Sequence, residues 1–116
     1  LIIRKNLFMN MIPEIDVVTL KNKIDANEKF KIIDIRESEE VSICKINNTI
    51  HIPMMEIPKR FNEFDKNDEL IIQCKSGARS ARVCEFLIHQ GFSNVKNLKG
   101  GILDWIHLID PTQQTY

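Results

Sequence analysis

The sequence predicts an α/β protein in which a mainly parallel sheet is flanked by helices on both faces. Short apolar segments alternate with segments whose apolar residues are spaced as in a helix. This order is typical of parallel strands that are connected by helices. The segment 30–35 is apolar on both of its faces, as strands buried between two helical layers are. The 116 residues, 43% of them hydrophobic and 28% charged, suffice for one domain with a single core.

Five strands are predicted in order, at residues 15–18, 30–35, 49–52, 70–73 and 94–98. Thr19 is the predicted cap of the first helix, and a second helix is predicted to begin at Ser38 with acidic residues near its positive end. Further helical segments are predicted at 54–64, where Pro58 makes the stretch irregular, at 83–90, where Gly91 ends it, and at 102–108. Residues 112–116 are predicted to form a polar tail.

The polar loop 74–79 joins the fourth strand to a helix, and Cys74 is its first residue. Ligands of parallel sheets bind beyond the carboxyl ends of the strands, which is where this cysteine lies. The inward amides of a loop that opens a helix, together with the charges of Lys75 and Arg79, favour the reactive thiolate. The alternative is an inert, buried cysteine, but the polar neighbours Ser76 and Ser80 argue against apolar burial.

Four residues separate Cys74 from Arg79. Cysteine phosphatases have one residue more, because their loop wraps a whole phosphate, so this shorter loop suits a persulfide sulfur carried on the cysteine. The loop Cys74-Lys75-Ser76-Gly77-Ala78-Arg79-Ser80 resembles the active-site loop of single-domain rhodanese-like sulfurtransferases. The flanking motifs, Ile33-Asp34-Ile35-Arg36-Glu37 before it and residues 97–105 after it, follow in the family's order, and the resemblance extends over about residues 15–109.

The resemblance implies a rhodanese-like fold with a five-stranded sheet, and a Cys74 that accepts sulfane sulfur as a persulfide. The implied donor is thiosulfate or the persulfide of a cysteine desulfurase, and no cofactor is implied. The implied binding loop comprises Lys75, Ser76, Gly77, Ala78, Arg79 and Ser80. Gly77 permits the backbone conformation that inward amides need. Each polar side chain also has a structural reading.

The functional role and the structural alternative differ from one loop residue to the next. Lys75 either meets an anionic donor or is a plain surface lysine. By the resemblance, Arg79 points into the site or braces the loop. The structural alternatives are a solvated arginine in the first helical turn or a structural ion pair. The hydroxyls of Ser76 and Ser80 either bind the sulfur anion or cap the helix.

Asp34 and Arg36 are candidates for a second layer of residues around the loop. The simpler interpretation, which we favour, is a structural ion-pair node with Glu37 or Glu40 as partner. Cys84 is expected to be a core thiol. Cys44 either packs or forms a disulfide with Cys74, and packing is favoured.

A more specific resemblance rests on the segment 44–49, which has a cysteine where many rhodaneses have a glycine turn. Together with Pro13-Glu14-Ile15 and the ending from Trp105 to Tyr116, it resembles the rhodanese domain at the C-terminus of MoeB/ThiF-type adenylyltransferase/sulfurtransferase fusions. Residues 1–12 are accordingly predicted as a linker or the end of an upstream domain, and residues 13–116 as the rhodanese-like domain. This resemblance implies sulfur transfer to a ubiquitin-like carrier protein, giving a thiocarboxylate in molybdopterin or tRNA thiolation pathways.

The composition excludes several functions. Lysine plus arginine and aspartate plus glutamate number 16 each, so no net basic field favours nucleic acid. No apolar run has the length of a membrane span, and the absence of a Cys-x-x-Cys pair argues against a metal site. Three sparse cysteines favour a reducing compartment, so we expect a cytoplasmic protein. The alternative functions are a non-catalytic rhodanese-fold interaction module and, less favoured, a phosphatase or arsenate reductase.

Overall fold

The computed structural model describes residues 12–116, which form a five-stranded sheet with the strand order β1-β5-β4-β2-β3. All four strand pairings are parallel, so the predicted α/β fold with a parallel sheet is confirmed. The most central strand, β4, is buried along its whole length. The strands are β1 (Glu14–Ile15), β2 (Lys31–Asp34), β3 (Ile50–His51), β4 (Leu70–Gln73) and β5 (Val95–Leu98).

Helices cover both faces of this sheet, because alternate residues of the central strands are apolar on each side. Ile33 and Ile72 pack in one core cluster with the longest helix, whereas Ile32 and Ile71 pack in the other with the first and last helices. Full burial of such a side chain stabilises the fold by about 1.5–3 kcal/mol. The helices are α1 (Val17–Asp25), α2 (Ser38–Ile43), α3 (Ile57–Arg60), α4 (Ala78–His89) and α5 (Gly101–Leu108).

The first strand and helix differ from the prediction. Strand β1 has two residues, and α1 begins at Val17 with Asp16 as its cap in place of Thr19. The Asp16 carboxylate accepts a hydrogen bond from the Thr19 amide at 2.7 Å, which satisfies a free N–H group of the first turn. The β-branched pair Val17 and Val18 favours a strand locally, but the cap and the burial of Val17 on the sheet override that preference.

The other predicted elements are present with shifted ends. Strand β4 has the predicted bounds, whereas β2 and β3 are each two residues shorter than predicted. The irregular stretch is confirmed as α3 between two 3₁₀ turns, Met54–Glu56 and Phe61–Glu63. Helix α5 begins one residue earlier than predicted, at Gly101.

The predicted linker lies outside the described residues except for Ile12, which packs against the core cluster of α4. Within residues 12–116, every helix is too short or too polar to cross a bilayer. In the same part of the chain, no group of three or more His, Cys, Asp or Glu side chains is arranged to hold a metal ion.

Candidate active site

Cys74 is the first residue after β4, at the carboxyl edge of the most central strand. Its side chain is only 1% exposed and belongs to the core cluster beneath α4, so the prediction from its polar neighbours against burial is wrong, although the polar Ser80 does contact its sulfur. The loop returns into α4 at Gly77, the helix cap, whose φ of +109° is a left-handed conformation that favours glycine. The sulfur therefore lies at the bottom of a tight strand-to-helix turn.

Three groups contact the Cys74 sulfur through hydrogen bonds. The Gly77 amide donates at 3.1 Å and the Ser80 amide at 3.4 Å, and the Ser80 hydroxyl lies 3.2 Å from Sγ. Burial raises the pKa of Cys74, but the Ser80 hydroxyl and the loop amides outweigh it, so the pKa is lower than that of an ordinary thiol. By contrast, burial raises the pKa of Cys84 to about 12. Cys84 is therefore an unreactive core thiol, as expected.

Helix α5 fixes the direction of the loop's peptide groups. The Ile102 amide donates to the Cys74 carbonyl at 3.0 Å, and the Leu103 amide donates to the Lys75 carbonyl at 3.2 Å. This approach requires a glycine at 101, because a Cβ there would lie 2.6 Å from the Cys74 carbonyl oxygen. Because these two carbonyls point towards α5, the loop presents amide N–H groups, and not carbonyl oxygens, to the Cys74 sulfur. The sequence predicted only that a helix begins after this glycine, at residue 102.

Asn97, on β5, holds the two residues that contact the sulfur. Its Oδ1 accepts from the Ser80 hydroxyl at 2.5 Å, and its Nδ2 donates to the Gly77 carbonyl at 3.0 Å. The residue is 3% exposed, so both bonds are shielded from water. Asn97 belongs to a motif that the sequence analysis quoted, but no role was predicted for it. A polar residue within a buried strand was the available signal.

Arg79 braces the loop against α2. Both of its Nη atoms donate to the Glu40 carboxylate at 2.8 Å, so its hydrogen bonds go to this residue and not to the thiol. The paired guanidinium lowers the pKa of Glu40 to about 2, although burial acts in the opposite direction. The structure shows an ion pair for Arg79, which fits both the predicted bracing of the loop and the alternative of a structural ion pair, and its charge acts on the Cys74 sulfur only through space.

Arg36 and Asp34 form a fully buried ion pair, with Nη2 and Oδ2 2.8 Å apart. Arg36 also donates to the Cys44 carbonyl at 2.8 Å and to the backbone carbonyl of Glu40 at 3.3 Å. The partner of Arg36 is thus Asp34, and not the side chain of Glu37 or Glu40 that the structural interpretation named. Through these two carbonyls the pair holds the C-terminal end of α2, and its hydrogen bonds do not go to the Cys74 sulfur.

The remaining predicted residues lie around the loop. Ser76 and Ala78 are exposed, and Lys75 is half-buried with its Nζ 4.4 Å from the centre of the Tyr116 ring. Cys44 belongs to the core cluster of α1 and α5, on the opposite face of the sheet from the cluster that contains Cys74. All three cysteines are free. The structure thus supports packing, and not a disulfide partner for Cys74, as the role of Cys44.

The chain belongs to the rhodanese-like domain family, whose model matches residues 16–108. It is 44% identical to YtwF of Bacillus subtilis over 94 residues, which cover 81% of this chain and 90% of that protein. A sulfurtransferase of Allochromatium vinosum is 38% identical over 82% of this chain and 89% of its own length. The crystal structure of a rhodanese-like domain protein from Staphylococcus aureus superposes with a TM-score of 0.78 at 34% identity, covering 90% of this chain and 99% of that one.

Fusion enzymes are more distant relatives. The maize adenylyltransferase and sulfurtransferase MOCS3-2 is 25% identical over 93% of this chain, which spans 24% of the maize protein. The predicted likeness to such fusions is therefore present. However, the relatives of about the chain's own length reported above are more similar, so the prediction that the chain is closest to the fusions is supported only in part.

Proposed function

We propose that this protein is a sulfurtransferase that carries sulfane sulfur as a persulfide on Cys74. The observation that carries the proposal is the pair of hydrogen bonds that the Gly77 and Ser80 amides donate to the Cys74 sulfur. These donors stabilise a thiolate before the reaction and a persulfide anion after it. The sulfurtransferase of Allochromatium vinosum, similar over most of its length, supports the same class of reaction.

The proposed reaction has two half-steps. In the first, the Cys74 thiolate attacks the outer sulfur of thiosulfate, the sulfur–sulfur bond of thiosulfate breaks, and sulfite leaves with the bonding electrons. In the second, a nucleophilic acceptor attacks the terminal sulfur, and the Cys74 thiolate leaves. The proposal assigns no separate general base, because the pKa of Cys74 is lowered despite its burial, which favours the thiolate that attacks the donor. A covalent intermediate of this kind gives ping-pong kinetics.

The physiological donor and acceptor form a finer part of the proposal. A cysteine desulfurase persulfide is the proposed cellular donor, and thiosulfate is its substitute in an assay. The proposed acceptor is the activated C-terminus of a ubiquitin-like sulfur carrier, which the likeness to the maize adenylyltransferase and sulfurtransferase supports. With this electrophilic acceptor the second half-step runs in the other direction: the terminal persulfide sulfur attacks the activated carbonyl, and the activating group leaves. Two equivalents of a cellular thiol then reduce the resulting acyl disulfide to the thiocarboxylate and the Cys74 thiolate, and are themselves oxidised to a disulfide. We also propose a cytoplasmic location, which three free cysteines support.

The first test measures sulfur loading directly. Purified protein is treated with thiosulfate, desalted and analysed by intact mass and peptide mapping. The wild type is expected to gain one sulfur atom on Cys74, and cyanide is expected to remove it as thiocyanate. The matched control is Cys84→Ala, which should load normally because that thiol is buried and protonated.

Three outcomes would contradict the proposal. Loading of a Cys74→Ala variant would remove this residue from the mechanism. A wild type that gains no sulfur would favour a non-catalytic interaction module. Turnover of an aryl phosphate or of arsenate would favour the phosphatase or arsenate reductase alternative.

A further inference from the structure

Tyr116 lies within the segment predicted as a polar tail, but its side chain is held against the active-site loop. Its hydroxyl donates to Oε2 of Glu40 at 2.7 Å and accepts from Nη1 of Arg36 at 3.1 Å. Arg36 is itself fixed by the buried pair with Asp34. The phenol is therefore held in one orientation by a side chain on each side of its oxygen.

The ring of Tyr116 supports the ammonium group of Lys75. Nζ lies 4.4 Å from the ring centre, which is the geometry of a cation–π contact. Lys75 directly follows Cys74 in the chain, so the ring fixes the position of a positive charge on the residue next to the one that carries the sulfur. A flexible lysine without the ring would distribute its charge over many rotamers.

Tyr116 is linked to both cations of the loop, to Lys75 through its ring and to Arg79 through their shared partner Glu40. Lys75 is held by the ring directly, and Arg79 is held through Glu40, which receives the Tyr116 hydroxyl on Oε2 and Arg79 on both oxygens. Burial and the Glu40 carboxylate raise the pKa of Tyr116 to about 12, although Arg36 opposes them, so the phenol stays neutral. A neutral support fixes the Lys75 charge without cancelling it, which a carboxylate at this position would do.

We propose that Tyr116 is a positioning residue that holds Lys75 beside Cys74 and thereby selects doubly charged anionic sulfur donors over singly charged or neutral reagents. This inference rests on the proposed function for the identity of the donors. The charge that it describes is nevertheless measurable without sulfur transfer. The two parts can therefore be tested separately.

The first experiment compares alkylation of Cys74 by iodoacetate and iodoacetamide, which have nearly the same shape and differ by one negative charge. Each reagent alkylates the sulfur with loss of iodide, iodoacetate adding a carboxymethyl group and iodoacetamide a carbamidomethyl group. Peptide mass spectrometry measures the modification of Cys74 separately from that of the other cysteines. Tyr116→Leu is expected to lower the iodoacetate-to-iodoacetamide rate ratio by about three- to tenfold. Tyr116→Phe keeps the ring, so its ratio should fall by less than about twofold.

The matched control is Phe30→Leu. The Phe30 ring supports Lys23 at 5.3 Å, but it precedes β2 at the opposite edge of the sheet from Cys74. This variant should leave the ratio unchanged. A loop that is merely disordered alters both alkylation rates together and leaves their ratio constant. In a Lys75→Met background, Tyr116→Leu should have no further effect on the ratio, because the charge that the ring positions is absent.

The second experiment uses thiosulfate, a dianion, and methanethiosulfonate, a monoanion that yields methanesulfinate when Cys74 takes its outer sulfur. Tyr116→Leu should raise KM for thiosulfate more than KM for methanethiosulfonate, with little change in kcat. An unchanged alkylation ratio in Tyr116→Leu, or an equal rise of both KM values, overturns the inference. A wild type that takes sulfur from neither donor overturns the proposed function and the donor selectivity, whereas the alkylation ratio decides the positioning of the charge independently.

Discussion

Gly101→Ala tests whether α5 sets the direction of the loop's peptide groups. At φ +57° an alanine costs about 1 kcal/mol. Its Cβ would also lie 2.6 Å from the Cys74 carbonyl oxygen, so α5 has to move away from the loop. That movement weakens the amide bonds from Ile102 and Leu103 to the loop carbonyls, each worth about 1 kcal/mol. The expected loss of unfolding free energy is about 3 kcal/mol.

The matched control for this change is Gly91→Ala. Gly91 also has a positive φ, of +97°, but an added Cβ would meet only the Lys66 side chain, at 3.8 Å. This variant should lose only about 1 kcal/mol, the cost of the backbone conformation. The difference between the two variants therefore measures the approach of α5 to the loop.

Urea unfolding followed by the fluorescence of the single tryptophan, Trp105 on α5, measures both losses. Alkylation of Cys74 by iodoacetamide near neutral pH should be slower in Gly101→Ala. Loop carbonyls that are no longer bound to α5 can turn towards the sulfur, and their partial negative charge disfavours the thiolate. In Gly91→Ala the alkylation rate should match the wild type. Equal stability losses in the two variants, or an unchanged alkylation rate in Gly101→Ala, would refute this account of the loop.

Two further predictions concern single side chains. Ser80→Ala should raise the pKa of Cys74, because the hydroxyl 3.2 Å from Sγ is lost while burial remains. The pH profile of Cys74 alkylation should then move to higher pH, whereas the profile of the surface control Ser93→Ala should coincide with that of the wild type. The Glu40 carboxylate, paired with Arg79, has a pKa of about 2 instead of 4.5. Its ionised form therefore contributes stability that is complete above about pH 4.5 and is lost as the pH falls towards 2. Thermal unfolding between about pH 5 and pH 3 should show a smaller loss in Glu40→Gln than in the wild type, and parallel curves would contradict the prediction.

The loop was predictable because its signals are local. A buried strand, a cysteine at its carboxyl end and a helix-opening glycine are adjacent in the chain, and local backbone geometry then directs amides at the sulfur. The contacts that brace the loop are distant in sequence. Arg79 and Glu40 are 39 residues apart, and Tyr116 and Glu40 are 76 apart, so no periodicity or motif relates them. For the same reason, the sequence left several alternative roles open for Arg79.

The alternation of strands and helices, the parallel sheet between two helical layers and the position of Cys74 at its carboxyl edge could all be predicted from the amino-acid sequence. Those features depend on hydrophobic periodicity and turn chemistry over a few residues. The distant polar groups that complete the loop became visible only in the folded protein: Asn97 contacts Ser80, α5 binds the loop carbonyls, and Tyr116 contacts Lys75. Such pairings depend on how the packed layers align, because a hydrogen bond forms only where two elements bring donor and acceptor within about 3 Å of each other.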